Sequence, residues 1–160
     1  MLVGTSFPNI TLPSTTFAQD CIQRNRTVMF FYPYTGRPGH ADPEGWDDIP
    51  GAHGSTPQAL AFSALHLEFV KLKTRVFGVS FQTTEWQQEF MDRHKLNFAL
   101  LSDAARKLSS ALSIQTFKAG GNDYLVRRTI VVQNGRITHD IFPILHPEQN
   151  ADDCLQLLQS

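Results

Sequence analysis

The chain has 160 residues, a formal net charge of −1 and two cysteines. At roughly 100–200 residues per domain, that length predicts one domain over residues 1–160. A charge near zero argues against electrostatic capture of nucleic acid or of an anionic membrane, and two cysteines are too few for a disulfide scaffold or a structural zinc site. Charged residues make up 18% of the chain and phenylalanine occurs 12 times. That balance excludes disorder and points to a large buried fraction or a self-association surface, so a homodimer fits the composition. The first eight residues carry no basic stretch, and no run of about 18 apolar residues occurs anywhere. The expectation is a cytoplasmic, soluble protein with reduced thiols.

Residues 1–20 read as short extended pieces broken by Pro8 and Pro13. Residues 27–32 are a continuous apolar, β-favouring run, which predicts a central strand buried on both faces. Residues 33–54, rich in Gly, Pro, Asp and His, read as one long loop, the kind that compact domains keep for function. Ser55-Thr56-Pro57 is a helix-start signal, and Leu60, Ala64, Leu67 and Val70 follow at helical spacing. Leu65, Phe69 and Leu72 lie beside them, and the spacing predicts an amphipathic helix to about Leu72. Residues 75–81 read as a second buried strand. Thr84-Glu85-Trp86-Gln87 has the capping-box pattern and opens a helix through His94. A short strand over 98–101, a short helix over 104–113, a hairpin of 127–132 and 136–142 around Asn134-Gly135, and a closing helix over 151–158 complete the chain. Early alternation of strand and helix followed by a late hairpin predicts an α/β fold with a mixed central sheet flanked by helices.

The chemistry is expected where the buried strand leads through the loop to Gly54-Ser55-Thr56-Pro57. The unpaired N–H groups and the dipole of a helix start can stabilise an anion or a thiolate there, and a glycine lets another molecule approach the backbone closely. The bland alternative for Ser55 is a helix N-cap or a neighbour of one. Ser55 with His53 would suggest a serine hydrolase only if an oriented base met the hydroxyl, and a histidine two residues away need not do so. His40, Asp42, Asp47, Asp48 and His53 are good ligand types in one loop, but none sits at a tight ligand spacing. Solvated side chains are the ordinary state of such a loop, so no metal and no other cofactor is expected. Cys21 and Cys154 read as small packing residues, with redox sensing or an intermolecular disulfide as the alternative.

Taken together, Phe31-Tyr32-Pro33, Gly54-Ser55-Thr56, Phe77-Gly78-Val79-Ser80, Leu96-Asn97-Phe98-Ala99-Leu100-Leu101-Ser102-Asp103 and Arg127-Arg128-Thr129-Ile130-Val131-Val132 resemble the peroxiredoxins. The resemblance is to the branch of bacterioferritin comigratory protein and peroxiredoxin Q, and it covers nearly the whole chain. It implies a thioredoxin-like fold of peroxiredoxin type. It also implies an antioxidant thiol peroxidase site, with a hydroperoxide as substrate and a thioredoxin-like protein as reductant. On that resemblance Ser55 stands at the peroxidatic cysteine position, and Arg127 matches the arginine that holds the thiolate and the peroxide. Pro33 and Thr35 belong to the loop side of the pocket, and Gly54 and Thr56 flank the nucleophile. Leu60 and Met91 stand at the two resolving-cysteine positions, and Ala52 stands where the family has a threonine. The spelling Tyr34-Thr35-Gly36-Arg37-Pro38-Gly39 with Ile49-Pro50-Gly51-Ala52 resembles a sub-branch that carries the same loop expansion and a cysteine after the glycine. A serine hydroxyl stays protonated near neutral pH and cannot climb the reversible oxidation ladder of sulfur. The chain as written is therefore expected to be inactive as a thiol peroxidase and to serve as a binding or chaperone-like homologue. The alternative is an active peroxidase represented by a Cys→Ser change at position 55.

Overall fold

The computed structural model describes residues 2–16, the backbone of 19–20, and residues 26–160. Two short strands, β1 (Thr11–Leu12) and β2 (Gln19–Asp20), pair with each other, and β3 (Arg26–Phe31) follows. The long loop contains a 3-10 turn at Trp46–Asp48 and ends at α1 (Ser55–Ala64), which is followed by α2 (His66–Lys71). Then come β4 (Thr74–Ser80), α3 (Thr84–His94), β5 (Leu100–Ser102) and α4 (Lys107–Leu112). β6 (Thr116–Ala119) and β7 (Asn122–Leu125) precede β8 (Arg128–Gln133) and β9 (Arg136–Ile141). A second 3-10 turn, Pro147–Gln149, leads into α5 (Asn150–Gln159).

The main sheet has the order β5-β4-β3-β8-β9. β3, β4 and β5 run parallel, while β8 and β9 are antiparallel, which is the mixed sheet the element order predicts. Residues 27–31 of β3 are fully buried because β3 is central and covered on both sides. The two-residue period sends Met29 and Phe31 to one core, shared with Leu108 and Leu112 of α4 and with Phe7 and Leu12. Val28 and Phe30 face the other core, built with Phe62 of α1, Phe69 of α2, Phe90 of α3 and Leu155 of α5. Phe30 stacks on Phe62 with ring centroids 4.5 Å apart. Its ring also lies across its β4 partner Gly78, where a Cβ would sit 2.7 Å from Phe30 Cζ. A glycine inside a strand is explained here by that close approach.

Several expectations are corrected. The helix from Ser55 is two helices: Leu65 leaves helical geometry (φ −97°, ψ 3°), and α2 starts afresh at His66. Of the apolar residues at helical spacing, Leu60, Leu67 and Val70 point outward, 40%, 70% and 51% exposed. The large rings of Phe62 and Phe69 take the core instead, 5.8 Å apart. The α3 cap is Thr83, whose hydroxyl accepts from Trp86 N at 3.2 Å. Gln87 then turns inward and donates to Leu101 O at 2.8 Å instead of closing a capping box. The helix expected from residue 104 begins at Lys107, because Asp103 carries its first turn, accepting from Leu108 N and Ser109 N at 3.0 and 2.8 Å. The hairpin of β6 and β7 is an addition to the predicted elements; Gly120-Gly121, both at positive φ, is its turn. Cys21 lies outside the described residues. No helix among the described residues is long and apolar enough to cross a membrane.

β8 and β9 are clamped by Arg128 and Asp140, whose two parallel contacts are both 2.7 Å. Asp140 also accepts from Leu2 N at 2.9 Å, tying the N-terminal segment to the sheet. The Arg128 guanidinium holds the Asp140 carboxyl below the usual carboxylate range, against the opposing effect of burial. A depressed folded pKa stabilises the fold above the unfolded value, about pH 4, and that contribution is lost as pH falls through the folded pKa. Asp140→Ala is therefore expected to cost about 3–5 kcal/mol in urea unfolding near neutral pH, because it strands a mostly buried guanidinium. Asp140→Asn should flatten the acid limb of the stability profile; an unchanged acid limb would remove Asp140 from that account.

Candidate active site

The long loop after β3 is held in place by side chains whose spacing gives no sign of it. Thr35 N and Oγ1 both donate to Gln82 Oε1 at 3.1 Å, and Thr35 O accepts from Gln82 Nε2 and from Trp86 Nε1 at 3.0 and 2.8 Å. Arg37 pairs with Glu85 at 3.1 Å, and Arg93 donates to Gly36 O at 3.0 Å, so the first part of the loop is fastened to α3. Further along, Trp46 is buried against Tyr34, Tyr124 and Phe117, with centroids 5.4, 5.0 and 5.7 Å away. The β6–β7 hairpin supplies two of those rings.

The loop then closes on α1. Gly54 is the N-cap, with φ 117° and ψ 0°, a conformation that favours glycine. A Cβ there would also meet Pro147 Cγ at 2.8 Å, so the C-terminal turn lies directly against the helix start. Ser55 is thus the first helical residue and the neighbour of the cap, and it is 4% exposed.

Arg127, just before β8, is likewise 4% exposed and reaches under this corner. Its Nη1 donates to Ser55 Oγ at 3.1 Å and to Gln58 Oε1 at 2.6 Å. Its Nη2 donates to the carbonyls of Gly51, Ala52 and His53 at 3.2, 3.3 and 3.1 Å. Its Nε is buried without a partner. Among the described residues no carboxylate pairs with Arg127. Burial pulls its pKa down to about 10, so it remains a cation at neutral pH. A buried cation beside the positive end of a helix makes the position of Ser55 Oγ one that favours negative charge.

The structure brings Ser55 and Arg127 together, and Gly54 and Thr56 line the cavity above them with Trp46, Pro147 and Glu148. The other expected residues lie elsewhere. Thr35 is turned to Gln82, and Pro33 lines a separate cavity with Trp86 and Tyr124. Leu60 projects from α1 toward solvent, and Met91 is half-buried against the core under α3. His53 gives its carbonyl to Arg127, while its ring meets Asp47 Oδ1 at 2.6 Å. Among the described residues Ser55 Oγ therefore meets a cationic donor and no imidazole base, which is not hydrolase geometry. Asp42, Asp47 and His53 come within 4.8 Å of one another on the exposed rim, while the ring of His40 lies against Trp86. Gln58 and Asn150 are additions to the predicted site; Gln58, in the turn that opens with Ser55, was the available signal.

Cys154 is fully buried in the core under α5, and burial pushes its thiol up to about 12. In a Cys21→Ser chain it is expected to resist a water-soluble thiol reagent in the native state and to react once the protein is unfolded. Labelling of the native protein at the unfolded rate would refute that burial.

Residues 50–140 match the model of the AhpC/TSA family. Chloroplastic peroxiredoxin Q of Sedum lineare is 30% identical over 137 residues, covering 83% of this chain and 63% of the relative. Peroxiredoxin Bcp of Bacillus subtilis is 29% identical over 99 residues, 61% of this chain and 54% of the relative. The chain spans 63–66% of the length of the peroxiredoxin Q relatives from Sedum and Oryza. Among solved structures, peroxidoxin BcpB from Mycobacterium tuberculosis superposes with a TM-score of 0.79 at 22% identity, covering 99% of this chain and 97% of that one. Xanthomonas campestris peroxiredoxin Q gives 0.75 at 21%, covering 96% and 91%. The fold is thus the thioredoxin-like fold of peroxiredoxin type.

Proposed function

Because the chain belongs to the AhpC/TSA family and is similar to its peroxiredoxin Q and Bcp members, we propose that Ser55 occupies the place of the peroxidatic sulfur and that the chain as written does not turn over hydroperoxides there. The observation that carries this reading is the contact of Arg127 Nη1 with Ser55 Oγ at 3.1 Å, made by a buried cation that lacks a carboxylate partner among the described residues. A thiolate at that atom would be held by the guanidinium and the helix start. It would attack the peroxide O–O bond, forming an S–O bond while the other oxygen leaves as water or an alcohol with a proton. Sulfur would end as a sulfenic acid, which a thioredoxin-like reductant can return to the thiol. Among the described residues the Ser55 hydroxyl meets no base to remove its proton, and it has no comparable reversible oxidation. A binding or chaperone-like role on a peroxidase architecture follows.

A second reading is supported by the completeness of the Arg127 cradle. Three carbonyls, Gln58 and Ser55 surround the guanidinium, as they would in a working pocket. On that reading the protein is an active thiol peroxidase represented by a Cys→Ser change, with a hydroperoxide substrate and a thioredoxin-like reductant. The codon at position 55 of the native gene separates the two.

Both readings make the same demand on the site. Ser55→Cys is expected to give a thiol with a pKa below the ordinary value of about 8.5, read from thiolate absorbance against pH, and to consume peroxide with a dithiol reductant. Replacing Arg127 by Gln in that variant should raise the thiol pKa by at least about one unit. A thiol at or above about 8.5 in Ser55→Cys would overturn the peroxidatic assignment.

A further inference from the structure

We infer that Asn150, the first residue of α5, is a positioning residue for Arg127, acting through the amide of Gln58. The inference rests on the peroxidatic reading of Ser55 and adds to it a part of the chain remote in sequence.

An arginine side chain can only donate, so at 2.6 Å from Arg127 Nη1 Gln58 must present its oxygen. Its amide nitrogen then points the other way, to Asn150 Oδ1 at 2.9 Å. Asn150 must in turn present oxygen, and that oxygen also accepts from Thr129 Oγ1 at 2.7 Å. Thr129 lies two residues beyond Arg127, so the chain of bonds closes on the segment it began from. All four side chains are buried.

Asn150 Nδ2 is left buried with no partner among the described residues. An orphaned amide donor is unfavourable, and natural proteins retain few of them. It is accounted for if the position needs the Asn150 oxygen in this orientation. Arg127 already demands the Gln58 oxygen, and with the Asn150 oxygen in place a turned Gln58 would also set acceptor against acceptor at its far end. Asn150 therefore anchors the far end of the Gln58 amide, and through it where Nη1 lies relative to Ser55. The preceding turn adds a second tie, since Pro147 packs on Gly54.

The test uses the full chain carrying Ser55→Cys and Cys21→Ser, with alkylation by iodoacetamide followed against pH. Asn150→Leu, similar in shape but without polar atoms, is expected to shift the profile upward by about one pH unit. The rate below the pKa should fall about tenfold, with recovery above it. Gln58→Leu should shift it comparably, and adding Asn150→Leu to Gln58→Leu should change little more, because one relay is already broken. A merely structural defect would lower the rate at every pH. An unmoved profile in Asn150→Leu, or full additivity of the two changes, overturns the relay. If Asn150→Leu fails to fold, Asn150→Ser replaces it with the same expected shift and the same criteria. An ordinary thiol pKa in the parent variant overturns the site reading and the relay together.

Discussion

A guanidinium buried without a carboxylate is the constraint on which the site depends. The charge of Arg127 is met by neutral oxygens, because Gly51, Ala52 and His53 turn three carbonyls onto it and Gln58 supplies a fourth oxygen. Those carbonyls converge because the loop is fastened at both ends, by Thr35 on Gln82 and Trp86, and by Gly54 where the chain enters α1. The rings of Tyr124 and Phe117 hold Trp46 between these ends. An ordinary salt bridge would neutralise the arginine and remove its use. Satisfying it with neutral oxygens leaves its field directed at the hydroxyl of Ser55, the first residue of the helix.

The sheet was legible in the residues because its signals are local and redundant. The run around Val28, Met29, Phe30 and Phe31 has no polar position to spare, and a strand of that kind belongs in the middle of a covered sheet. The pairing of Ser55 with Arg127 was legible only through family resemblance, since 72 residues separate them. Hydrophobic spacing failed where apolar residues outnumbered the places in the core. Leu60, Leu67 and Val70 kept helical spacing, yet the larger rings of Phe62 and Phe69 settled which side of α1 and α2 is buried. Gly120-Gly121 is a turn signal that the predicted elements leave unused. Gln58 and Asn150 carry no spacing rule, because a buried amide network is fixed by tertiary geometry alone.

The cores explain where the aromatic content goes. Phe30, Phe62, Phe69 and Phe90 fill the side under α1, α2, α3 and α5, and Phe7, Phe31 and Phe77 fill the other. Phe142 is exposed, at 38%, with Arg128 over its ring. Composition that first suggested self-association is used mainly to build one sheet with two covers. Gly78 shows how tightly it is built, since even a methyl group there would collide with Phe30.

The two tryptophans of the chain have a consequence for how the protein can be watched. Trp46 is enclosed by Tyr34, Tyr124 and Phe117, and the indole N–H of Trp86 is bonded to Thr35 in the same loop. Neither indole belongs to the two cores packed on the sheet. Intrinsic fluorescence of this molecule therefore reports on the loop around the site and is nearly blind to the sheet, so an emission change can register loosening of the site while the scaffold stays folded.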